Sequence, residues 1–165
     1  MHRIVAAIDA FSEKSGQVLA ILPLALVLVQ FAVVLMVYVF ASGSIQLQES
    51  LQYINAVMFL GGAGYTAVRG EHVRVDIFYS KFSERGKAVV NLLGTLLLLI
   101  PFLILFWMSA VPFVLDSWAI GETSVEASGL PYVYILKATL LLFALTLSLH
   151  ALADLMRNTA KLMER

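Results

Sequence analysis

The sequence contains no cysteine and has few charged residues. Of its 165 residues, 13% are charged and 61% are hydrophobic, whereas a soluble domain carries about 25% charged residues. The absence of cysteine excludes disulfides, iron–sulfur clusters, thiolate metal sites and thiol redox chemistry. Eleven basic residues balance 11 acidic ones, so the formal net charge is zero. There is no basic excess to favour nucleic-acid binding and no acidic excess to favour a solvating tail. This composition predicts a membrane protein, and its length suits one domain over residues 1–165.

Four stretches poor in charge predict an all-α membrane protein with four transmembrane helices. They cover residues 18–41, 51–68, 88–115 and 130–152. A charge near the bilayer centre is costly, and these runs contain a single one. The third run would be about 42 Å long as a straight helix, so we expect it to tilt, protrude or break, with Pro101 and Pro112 as the places to break. The runs are continuous rather than alternating, which argues against barrel strands.

Lysine and arginine are confined to the two tails, the central loop and one position in the fourth run. The loops at residues 42–50 and 116–129 contain acidic residues but no basic ones. Cytoplasmic segments of membrane proteins are enriched in lysine and arginine. The sequence therefore predicts that both termini and the central loop are cytoplasmic, in a multi-pass protein of the bacterial inner membrane. The ten basic residues behind this prediction are Arg3, Lys14, Arg69, Arg74, Lys81, Arg85, Lys87, Arg157, Lys161 and Arg165.

Both tails have helical periodicity. Ile4, Ile8 and Phe11 share one face of residues 2–15, which predicts an amphipathic helix lying in the membrane interface. Residues 150–165 repeat the pattern, which predicts that the last helix extends into the cytoplasm. The first apolar run is longer than the roughly 7 to 15 residues of a secretory signal, so we expect it to be retained.

Catalytic and metal-binding patterns are sparse. His72 has Asp76 four residues later as a possible chelating partner, but no third ligand accompanies them. The acidic residues all lie outside the predicted spans or at their edges, whereas a proton-coupled exporter needs a carboxylate within the membrane. The sequence therefore predicts no enzyme, metal or cofactor, and this distribution of acids argues against autonomous transport.

Two features within the predicted spans indicate packing or partner contacts. Gly61, Gly62 and Gly64 predict a face of small residues that lets another helix approach closely, with a local helix break as the alternative. Lys137 lies about 10 Å into the fourth span. Its ammonium can reach an acid of the preceding loop, a partner subunit or a lipid headgroup.

The segment after the second span is dense in charges of both signs. On physical grounds it is either a stop-transfer flank or a defined docking surface. Glu49, Phe59-Leu60-Gly61-Gly62-Ala63, Arg69 and His72-Val73-Arg74-Val75-Asp76 together resemble the small membrane subunit of tripartite ATP-independent periplasmic (TRAP) transporters, the DctQ-type family. The resemblance covers nearly the whole chain and includes the Gly-Leu-Pro entry at residues 129–131 and Lys137.

The resemblance implies a non-enzymatic scaffold. In such systems a periplasmic binding protein delivers an organic acid to a large membrane subunit, which moves it by using a sodium gradient. Sodium coupling is then expected in the large subunit, and the partners of this chain are that subunit, the binding protein and membrane lipids, with no nucleic acid. We expect five residues to hold the ends of the second span or to dock the partner: Glu49, Arg69, His72, Arg74 and Asp76.

Two other function classes stay open on the sequence. A self-sufficient small exporter or channel would work as an oligomer of this chain. A membrane anchor of an oxidoreductase would need paired histidines or cysteines at membrane depth, and the sequence has three histidines and no cysteine.

Overall fold

The described residues of the computed structural model are helical, with short connections. The structure describes residues 2–69, 79 and 81–163, and no strand occurs among them. This confirms the predicted all-α class. The elements are α1 (His2–Leu19), α2 (Leu22–Tyr38), α3 (Ile45–Arg69), α4 (Glu84–Gly94), a π-helical segment (Thr95–Leu99), α5 (Ile100–Ile120) and α6 (Val133–Met163).

The N-terminal helix is longer than the sequence predicts. It runs to Leu19, so residues 18 and 19 of the expected first span belong to α1, and the chain bends at residues 20 and 21 before α2 begins. Pro23 causes the bend because it has no N–H to donate to the carbonyl of Leu19. The expected apolar face is also divided: Ile8 is buried, whereas Ile4 and Phe11 are 53% and 52% exposed.

The two prolines expected to break the third span do not end it. Helical structure continues from Glu84 to Ile120 over 37 residues. The π-helical segment ends two residues before Pro101. In an α-helix the proline ring would clash with the carbonyl four residues earlier, and the wider π-helical turn gives that ring room. Pro112 lies inside α5 without interrupting it. The helix ends instead at Gly121, whose φ of 58° is the left-handed conformation that glycine adopts readily.

The order of contacts along the helices gives their relative directions. From the start of α3 onward, Glu49 contacts Leu130, Gly61 contacts Leu142 and Gly64 contacts Thr146, so α3 and α6 run in the same direction. By contrast, α5 and α6 run in opposite directions, because residues late in α5 contact residues early in α6. Those contacts are Trp107 with Ser148, Phe106 with Phe143 and Phe113 with Lys137.

Three helical segments are long and apolar enough to cross a membrane: Arg3–Tyr38, Glu84–Ile120 and Val133–Met163. The predicted span 88–115 lies within the second of these segments. The predicted span 130–152 begins three residues before α6, which continues eleven residues beyond residue 152. The 25-residue α3 is not among the three, because glutamine, asparagine and glycine lower its mean hydropathy. That α3 also spans the membrane stays a prediction.

Small side chains fill the contacts between helices. The buried apolar residues are mostly alanine, and the buried polar ones are serine, threonine and asparagine. Large apolar side chains point outward along every long helix. Membrane helices pack in this way, because small residues allow close backbone approach while lipid solvates the large ones.

Candidate functional site: polar contacts and glycine seam of the bundle

A carboxylate at the start of α3 connects that helix to the loop before α6. Glu49 accepts a short hydrogen bond from the Ser124 hydroxyl and a 2.6 Å bond from the backbone N–H of Leu130. Gly129 leaves room for this contact, since a Cβ there would lie 2.7 Å from Glu49 Oε1. The hydrogen bond from Ser124, and then that from Leu130, lower the pKa of Glu49 below its usual value of 4.5. Glu49 is therefore ionised at neutral pH.

Lys137 pairs with an acid of the same loop. Its Nζ donates a short hydrogen bond to Glu122 Oε2 and lies 4.1 Å from the ring centroid of Phe113. The side chains of Lys137 and Glu122 are 21% and 30% exposed. The hydrogen bond from Lys137 lowers the pKa of Glu122. We call Glu49, Glu122, Ser124, Leu130 and Lys137 the loop cluster; it fixes the connection between α5 and α6 against α3.

Two glycines let α3 approach its neighbours closely. A Cβ on Gly61 would lie 3.2 Å from Leu19 and 3.3 Å from Leu142, and a Cβ on Gly64 would lie 2.8 Å from Cβ of Thr146. Gly62, by contrast, has nothing within 4 Å of such an atom. The helix is continuous through all three glycines, so the alternative of a local break is not observed.

A further glycine, on α1, makes the tightest approach. A Cβ on Gly16 would overlap the ring of Tyr65 and lie 2.9 Å from its Cβ. Ser12, one turn earlier on the same face, is 3% exposed. Ser12 and Gly16 thus form a small-xxx-small face. We call Gly16, Gly61 and Gly64, with the residues that they contact, the glycine seam of α1, α3 and α6.

Ion pairs join the three helices at the end of the bundle opposite the loop cluster. Arg69 Nη2 lies 2.9 Å from Glu13 Oε1, and its guanidinium carbon lies 5.5 Å from the ring centroid of Tyr65. Arg157 of α6 bonds both carboxylate oxygens of Asp9, the nearer at 3.0 Å. The side chains in both pairs are between one third and one half exposed. These pairs therefore position α1 more than they stabilise it.

Two polar bonds hold the long third helical segment to α6. Thr95, in the π-helical segment, donates a 2.8 Å hydrogen bond to Asp154 Oδ2. Trp107 Nε1 donates a 3.1 Å bond to the Ser148 hydroxyl. Thr95 is 5% exposed, whereas the three leucines that follow it point outward. The π-helical segment thus turns one polar side chain inward.

The structure separates some of the residues that the sequence groups together. Glu49 and Arg69 lie at opposite ends of α3: Glu49 contacts the loop before α6, and Arg69 contacts α1. His72, Arg74 and Asp76 lie outside the described residues. Among the residues that are described, no group of three or more carboxylates and imidazoles is close enough to hold a metal ion.

Several contacts were not predicted. The pattern Ser12-xxx-Gly16 could have indicated the α1 contact, because small residues four apart mark close helix approach. Pairs such as Asp9 with Arg157 join residues far apart in the sequence, and local periodicity carries no information on them.

A family model described as "Tripartite ATP-independent periplasmic transporters, DctQ component" matches residues 26–161. No curated protein and no solved structure matches the chain. The matched range includes α3, the loop cluster and nearly all of α6.

Proposed function

The chain belongs to the DctQ family, the small components of tripartite ATP-independent periplasmic transporters, and from that premise we propose that it is the membrane scaffold of such a transporter. It holds the large permease subunit in the bilayer. That subunit uses a sodium gradient to take up an organic acid delivered by a periplasmic binding protein. The proposal rests on the family match over residues 26–161. In this proposal the chain catalyses no reaction and binds no cofactor.

The use of polar groups within the chain supports a scaffolding role. Glu49 of α3 binds the loop before α6, Lys137 of α6 pairs with Glu122 of that loop, and Asp9 of α1 pairs with Arg157 of α6. Each of these contacts fixes one helix relative to another. Polar side chains that bond to other helices of the chain hold the bundle rigid. The outward surface, which is mainly apolar, is available for contacts with lipid and with protein.

We further propose four spans, with both termini in the cytoplasm. In support, α3 is about 37 Å long and runs beside α6, which is long and apolar enough to cross. The basic residues of the tails and central loop belong to segments that this topology assigns to the cytoplasm.

Cysteine accessibility tests this topology, because the natural chain has no background thiol. Ser42→Cys, before α3, should react with a membrane-impermeant maleimide on intact spheroplasts. Lys81→Cys, in the central loop, should react only after permeabilisation. Both positions are exposed. Labelling of Lys81→Cys from outside would overturn the orientation.

Reconstitution tests the function. The large subunit and the binding protein of the same transporter would be placed in proteoliposomes with and without this chain, and uptake of the binding protein's ligand would be followed under an inward sodium gradient. We expect uptake only when this chain is present. Uptake of the same rate without it would refute the scaffold role, and transport by this chain alone would instead favour the self-sufficient exporter.

Individual residues can be tested by co-purification. We propose that Arg74 and Asp76 dock the large subunit, as the family resemblance implies for the charged segment. Arg74→Ala and Asp76→Ala should lower the yield of large subunit bound to the tagged chain. Lys81→Ala, an exposed basic residue of the same connection, is the matched control and should not. Equal yields for all three would remove the charged segment from the interface.

A further inference from the structure

A single polar residue lies at the centre of an otherwise apolar helix. Gln30 is eight residues from either end of α2, and no residue of this helix is buried. Its side chain is exposed. It makes no hydrogen bond to any described residue. Its amide therefore faces whatever surrounds the chain in the membrane.

The position of Gln30 prevents water or headgroups from satisfying its amide. Either end of α2 is about 12 Å away along the helix axis, which is farther than a glutamine side chain extends. An unpaired amide in hydrocarbon is costly, and membrane helices meet that cost with hydrogen bonds between helices. Lipid tails have no group that can form such a bond.

The residues around Gln30 form a regular stripe. They recur at intervals of four, three, four and three residues, which is the spacing of a helix–helix seam in a left-handed coiled coil. Each member is exposed, and the valines are 61%, 40% and 42% exposed. The members are Pro23, Val27, Gln30, Val34 and Val37. We call this stripe the Gln30 seam.

Another face of α2 already has a neighbour. Ala25, Val29, Ala32 and Met36 are half-buried at the same kind of spacing, and α2 packs mainly against α3. The Gln30 seam lies away from this face, and it combines narrow β-branched side chains with one polar group at mid-depth. In helix pairs a lone polar residue within an apolar seam fixes the register of the two helices.

We propose that the Gln30 seam docks one transmembrane helix of the large permease subunit, and that this helix presents a hydrogen-bonding side chain opposite Gln30. The proposal rests on the proposed function, because the family is one component of a multi-part transporter and so supplies a partner in the same membrane. Gln30 then sets the depth at which the two subunits meet, and the valines set how closely they approach.

Co-purification with the large subunit tests the proposal with two pairs of variants. Gln30→Leu removes the amide, and the matched control Gln52→Leu removes an exposed amide near the start of α3. Val34→Trp obstructs the seam, and Leu28→Trp adds the same bulk to an exposed position on the far side of α2. We expect Gln30→Leu to weaken association by about threefold to fifteenfold, Val34→Trp to weaken it more, and both controls to match the unmodified chain.

A photo-crosslinking residue in place of Val34 identifies the occupant. An adduct with the large subunit supports the proposal, whereas an adduct of two copies of this chain, or no protein adduct, overturns it. If the unmodified chain fails to bind the large subunit, the proposed function itself fails. If the unmodified chain binds and all four variants bind equally well, the function stands and the Gln30 seam is not the docking surface.

Discussion

Adding one methyl group to the glycine seam should separate α3 from α6. In Gly64→Ala the new Cβ would lie 2.8 Å from Thr146 Cβ and 3.3 Å from its carbonyl oxygen. Non-bonded carbon atoms prefer about 3.5 to 4.0 Å, so α6 must move away by about 0.7 Å or more. Overpacking of this kind costs about 1 to 3 kcal/mol, and alanine returns about 0.5 to 1 kcal/mol of helix propensity. The two ranges give a net loss of up to about 2.5 kcal/mol, centred on about 1 kcal/mol.

The control is the same substitution two residues earlier. Gly62→Ala meets nothing within 4 Å, so it should stabilise the protein by about 0.5 to 1 kcal/mol through helix propensity alone. The assay is unfolding of the purified chain in mixed micelles with increasing dodecyl sulfate, followed by circular dichroism. The two variants should shift the midpoint in opposite directions. A Gly64→Ala variant that is as stable as Gly62→Ala would refute the close approach of α3 and α6.

Three further predictions concern the polar contacts. Because folding lowers the pKa of Glu49, its ionised carboxylate stabilises the protein above pH 4.5, and this stabilisation is lost as the pH falls through the lowered pKa. The Glu49→Gln variant should therefore melt at a lower temperature than wild type at neutral pH, and the difference should shrink in acid. A difference that does not change with pH would contradict this. Lys137→Met removes the ammonium that lowers the pKa of Glu122, so that pKa should rise towards 4.5 in an NMR titration, and an unchanged value would exclude the pair. Thr95→Val removes the hydroxyl that donates a 2.8 Å hydrogen bond to Asp154. In the same unfolding assay it should lower the free energy of unfolding by about 1.5 to 3 kcal/mol, and an unchanged midpoint would show that the bond does not stabilise the fold.

Hydropathy predicted the helical class and the approximate extent of the long helices, but not how prolines act within them. Pro112 lies inside α5 without ending it, and a π-helical segment accommodates Pro101. Pro23, in contrast, follows a turn at residues 20 and 21 that separates α1 from α2, because it has no N–H to donate to the carbonyl of Leu19.

Residues of the candidate site could be predicted only where their type is unusual among the neighbouring residues in the sequence. Lys137 stands out as a charge within an apolar run, Glu49 as a charge just before one, and Gly61 and Gly64 as small residues within one. Their partners could not be derived, since Ser124 is 75 residues away from Glu49 and resembles other loop serines. Gly62 looks identical to its neighbours in sequence, and only the helix phase shows that it faces open space.

The shared direction of α3 and α6 has a consequence for assembly. α3 and α6 run in the same direction and are far apart in the sequence, so on the glycine seam α3 meets α1 first and then α6, which is made last among the described helices. During synthesis, when N-terminal segments fold first, Gly61 can already contact Leu19 of α1, whereas Gly64 gains its neighbour Thr146 only when α6 is made. A ribosome that stops before Val133 therefore releases a chain with an unfilled groove along α3. The last helix is therefore the element that completes the contacts of α3.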